Sequence, residues 1–66
     1  MNKQQKELLE NEIETRLFLI NKEGGWDATP KSIVEQSHLD GITKTLRYLG
    51  YEYTKNLNDE IKIVKL

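Results

Sequence analysis

The chain contains no cysteine, which excludes a disulfide staple and any zinc site built on thiolates. Its single histidine, His38, excludes a metal site that needs a histidine pair. Long apolar runs are missing too. The longest, Leu17 to Ile20, is four residues, far short of the roughly 18 needed to cross a bilayer. No apolar stretch of signal-peptide length follows Met1-Asn-Lys-Gln-Gln-Lys, so a cytoplasmic location is expected. Nor is there a marked excess of one charge: the net charge is −1. Residues 1–27 carry four basic against six acidic side chains, a balance of −2, while residues 28–66 carry six against five, a balance of +1. The distribution permits local contact with a polyanion without announcing it.

What remains is one small domain over residues 1–66. A chain of this length buries only roughly 60% of its unfolded surface, so self-association is an expected source of stability and a homodimer is anticipated. From about Gln4 to Lys22, Leu9, Ile13, Leu17 and Ile20 recur at spacings of four, four and three, which predicts an amphipathic helix ended by Gly24-Gly25. Glu7, Glu10, Glu12 and Glu14 read as its solvated face. Phe18 falls opposite the apolar stripe, either folded against a loop or the hairpin or serving as a contact for a second subunit or another protein. Trp26 is expected to pack over the end of this helix.

Thr29-Pro30 is a strong helix start, with threonine as N-cap and proline at the first helical position. The helix it opens is expected to be short, about two turns, with Ile33 and Val34 inward. Ser37-His-Leu-Asp40 has capping-box spacing, so a third helix is expected to begin near Ser37 or Asp40. Its apolar face would be Ile42, Leu46 and Leu49, and Gly50 would end it. Tyr51–Thr54 and Ile61–Leu66 read as strands around the turn-like Lys55-Asn-Leu-Asn-Asp59. Tyr51, Tyr53, Ile61 and Ile63 should share one side of that hairpin. The expected architecture is therefore α+β, a three-helix domain with a C-terminal β-hairpin.

Catalytic chemistry is not expected. His38 stands near Ser37 and Asp40, but closeness in sequence does not create triad geometry, and a solvent-facing or turn role is the simpler assignment. Gly24-Gly25 lacks the lysine of a phosphate loop. No cofactor, metal or small-molecule substrate is implied. On the expected third helix, Thr43, Lys44 and Arg47 lie away from the apolar face, where such side chains can meet base edges in a major groove. Lys31 and Ser32, in the first turn of the helix before it, would stand near phosphate, and Lys55 at the hairpin tip would touch the backbone or minor groove.

Thr29-Pro-Lys-Ser-Ile-Val, then Ile42-Thr-Lys-Thr-Leu-Arg-Tyr-Leu-Gly-Tyr, then the hairpin, resembles winged helix-turn-helix DNA-binding domains, over about 38 residues. The resemblance implies a winged-helix fold in which Thr43, Lys44 and Arg47 match the recognition helix and Lys55 the wing. It implies a small DNA-binding regulator of transcription, or an accessory factor, with double-stranded DNA as partner. The competing expectation is a protein-interaction module, an adaptor or inhibitor that holds its partner through the acidic first helix, with Phe18 and Glu14 as contacts.

Overall fold

The computed structural model describes residues 1–66 as two helices followed by a hairpin. Helix α1 spans Lys3–Lys22 and opens with a complete capping box: Asn2 accepts from the Gln5 N–H at 2.8 Å, and Gln5 accepts from the Asn2 N–H at 3.1 Å. It ends where the chain enters Gly24 and Gly25, both at positive φ (102° and 108°), a conformation glycine adopts without steric cost. Helix α2 spans Pro30–Tyr48, and the Thr29 hydroxyl accepts from the Ser32 N–H at 3.1 Å as the N-cap expectation requires. Gly50, at φ 88°, turns the chain into β1 (Tyr51–Lys55), which pairs antiparallel with β2 (Ile61–Lys65) in the register Tyr53 opposite Ile63. No helix is long and apolar enough to cross a membrane.

The expected α+β class, with helices leading into a C-terminal hairpin, is the observed one, but the three-helix division is not. A single α2 runs through the expected turn, so residues 29–49 form no helix-turn-helix. The reason is visible at Ser37, the expected cap, and at the threonines that follow it. The Ser37 hydroxyl donates back to the Ile33 carbonyl at 3.1 Å, and Thr43 and Thr45 do the same to Leu39 and Gly41. Their hydroxyls stay inside the helix instead of starting a new one. The buried positions of α2 are Ser32, Leu39 and Leu46, spaced by seven, and that spacing aligns only on an unbroken helix.

Two other expectations fall with it. Ile33 and Val34 point outward, and Leu49 is an exposed C-cap rather than part of the inward face.

The hairpin lies across the two helices as a second layer, with α1 under β2 and α2 under β1. Ile13 and Ile20 from α1, Leu39 and Leu46 from α2, and Ile61 and Ile63 from β2 form the core. Leu9, Leu17, Ile42, Tyr51 and Tyr53 pack around it, so the four hairpin residues expected on one side do share it. Between the helices, Arg16 bonds to Glu35 at 2.6 Å, and its Nε lies 3.2 Å from Glu12 but out of line for a hydrogen bond.

Candidate functional site

On α1, Glu10, Glu14 and Phe18 form a row at steps of four along the flank that meets β2. Four helical residues advance about 6 Å, close to the roughly 6.7 Å of two strand residues. The two carboxylates therefore keep step with alternate amides of β2. Glu14 accepts from the Ile61 N–H at 3.2 Å and Glu10 from the Ile63 N–H at 2.8 Å. These are charge-assisted bonds to a strand edge that would otherwise stand open. The solvated-face expectation is thus corrected for this part of the helix: Glu10 is buried, and Glu14, expected to hold a partner protein, holds the hairpin.

Phe18 continues the row where no strand amide remains to be covered, and it stays 65% exposed. Across from it stands Trp26, 59% exposed and not packed over the helix end as expected. The physical reason lies in the connector. Ser32 Oγ donates to the Gly25 carbonyl, and Gln36 grips Asp27 through both its backbone N–H and its carboxylate, the latter at 3.0 Å. Asp27 itself sits at φ 58°, and this pinned, left-handed backbone turns the indole outward.

Leu17, Phe18, Ile20, Trp26 and Ile61 line an open cleft of about 550 Å³, rimmed by Glu14, Asp59, Glu60 and Lys55. Beside these five apolar side chains stand three acidic groups and one basic group.

The residues expected to meet DNA are partly dispersed. Thr43, Lys44 and Arg47 do share one flank of α2, the one away from α1. Yet the Thr43 hydroxyl is 2.7 Å from the Leu39 carbonyl, and Lys44 pairs with Asp40 at 3.0 Å. Ser32 is fully buried and committed to Gly25, which corrects its expected place beside phosphate. Lys31 stands in the first turn of α2 and Arg47 in its last, roughly 24 Å apart along the axis. Lys55 belongs to the cleft rim. His38 is solvent-facing, 3.8 Å from Glu12. No group of three His, Cys, Asp or Glu side chains is placed to hold a metal ion.

The residues that sequence reasoning missed are Glu10 and Trp26. The readable signal for Glu10 was its position, four before Glu14 and directly beside the apolar stripe. Compared with protein-family models, curated proteins and solved structures, the chain matches none. The resemblance to winged-helix domains rests on the sequence pattern alone.

Proposed function

We propose that this chain is a non-catalytic protein-interaction module whose contact surface is the cleft between Phe18 and Trp26. The observation that carries this reading is the pairing of two large exposed aromatics with a backbone already fixed by Ser32 and Gln36. Aromatic anchors dominate interface energetics, and an anchor held in place before binding loses little entropy when its partner arrives. The acidic rim of Glu14, Asp59 and Glu60 favours a partner segment that brings an apolar side chain flanked by lysine or arginine.

Binding to duplex DNA is the competing reading. It draws on Lys44 and Arg47, of which only Arg47 lacks a carboxylate partner. One experiment separates them. The full chain is used to select from a displayed peptide library, with emission of its single tryptophan as the binding signal, while random duplex DNA is titrated by fluorescence anisotropy at low and moderate salt. The proposal expects selected peptides with an apolar-basic pattern, a shift in Trp26 emission, and at least about a tenfold loss of affinity in Phe18→Ser. DNA binding that weakens steeply with salt and is lost when Lys44 and Arg47 become alanine would replace it.

A further inference from the structure

The hairpin has two outer edges, and only one is closed. The Leu66 N–H donates to the Gly50 carbonyl and the Asn56 N–H to the Glu60 carbonyl, which fixes the hydrogen-bonded pairs of the ladder. By the alternation of an antiparallel pair, Ile61 and Ile63 point their backbone groups away from β1, towards Glu14 and Glu10. By the same alternation, Tyr51, Tyr53 and Lys55 point theirs away from β2. No side chain bonds to the N–H groups of these three residues. The neighbouring flank of α2 supplies no cap: the Thr43 hydroxyl is turned to the Leu39 carbonyl of its own helix, and the lysine and arginine beside it are donor-only.

From this asymmetry we infer that β1 is the seam of a homodimer, in which two copies join their hairpins into one four-stranded antiparallel sheet. The inference goes beyond the proposed function and does not depend on it: the seam and the aromatic cleft share only Lys55, at the end of β1, while Tyr51 and Tyr53 lie outside the cleft.

A second copy is the occupant that the chain itself specifies. Antiparallel pairing must set outward-pointing residues against outward-pointing residues. Centring the twofold axis on Tyr53 sets Tyr51 against Lys55 of the partner subunit, and every outward N–H and C=O of the two strands then finds a partner.

The helices below are matched to the same axis. Tyr53 lies roughly 6.7 Å along β1 from Tyr51, and the same distance back along α2 from Tyr48 reaches Thr43 and Lys44. Two α2 helices related by that axis run antiparallel, which brings Asp40 to Arg47 of the partner subunit, twice over. Within one chain Arg47 has no carboxylate within salt-bridge distance, so this arrangement supplies the one it lacks. The gain also answers the small core of a 66-residue chain.

Sedimentation equilibrium of the full chain from about 5 µM to about 1 mM, with amide exchange read at the same concentrations, tests the seam. A monomer–dimer equilibrium is expected, with exchange at Tyr53 and Lys55 slowing as dimer forms and exchange at Ile63 already slow in the monomer. Lys55→Pro removes an outward N–H that the hairpin does not use, and it should give a folded monomer. Asp40→Arg should weaken dimerisation about tenfold, and Asp40→Arg with Arg47→Asp should recover it. A chain that stays monomeric at the highest concentration would overturn the inference. So would a Lys55→Pro dimer as tight as the parent, or a double variant no better than Asp40→Arg alone.

Discussion

The two helix flanks that border the hairpin meet the same kind of edge with opposite chemistry. Beside β2, α1 presents acceptors, Glu10 and Glu14, in step with the amides they must satisfy. Beside β1, α2 presents Thr43, Lys44 and Arg47, none of which accepts from those amides. Equal geometry is therefore not equal closure. A strand edge is protected by what the neighbouring helix can accept, and a change from carboxylate to guanidinium at matched positions leaves the edge available.

That contrast can be broken or sharpened by substitution, and the largest effect should come from below the closed edge. Ile63→Ala removes a fully buried side chain from the core and should cost about 2–5 kcal/mol in urea unfolding. A loss below about 1 kcal/mol would mean that β2 is not anchored as described. Glu10→Ala leaves the buried Ile63 N–H without its acceptor and should cost about 1–3 kcal/mol. Glu10→Gln, which keeps an acceptor, should recover part of that loss, and Glu14→Ala, at a more exposed position, should cost less than Glu10→Ala. Equal losses for the two alanine variants would show that burial does not set the worth of the cap.

A smaller change of opposite sign is expected on α2. Gly41 lies inside the helix with open space where a Cβ would stand, so Gly41→Ala should stabilise by roughly 0.5–1 kcal/mol. A destabilised Gly41→Ala would restore the break once expected near Asp40. Smallest of all, Arg47→Ala should change the unfolding free energy of the dilute monomer by no more than about 0.5 kcal/mol, since its side chain has no carboxylate partner in the single chain. A large loss there would place Arg47 in the fold itself.

Much of this fold was legible in the residues. The spacing of Leu9, Ile13, Leu17 and Ile20 marked α1, Thr29-Pro30 marked the start of α2, and the aromatic and β-branched alternation marked both strands. The misreading of α2 has a definite cause. Ser37 and Asp40 satisfy a local capping pattern, but the longer repeat of Ser32, Leu39 and Leu46 prevails, and its first member is a serine that hydropathy counts as exposed. The cleft was half visible. Phe18 stood out because it breaks the helical pattern, whereas Trp26 was assigned to the interior by its size. What turned it outward is a set of hydrogen bonds from Ser32 and Gln36, 6 and 10 residues further along the chain, which no local pattern encodes. The carboxylate caps were hidden because a charged residue on a helix is usually a solvated one.

The Glu10–Ile63 bond joins positions 53 apart, against 9 for the grip of Gln36 on Asp27. Closing the longer loop costs roughly 1.6 kcal/mol more by the logarithmic law for flexible chains. Strand β2 is held to β1 across the short hairpin turn and to α1 across this long span, and it carries Ile61 and Ile63, two of the six core side chains. When it peels away, Ile13 and Ile20 lose their cover in the same event. The molecule has no stable halfway house, and its unfolding should be all-or-none.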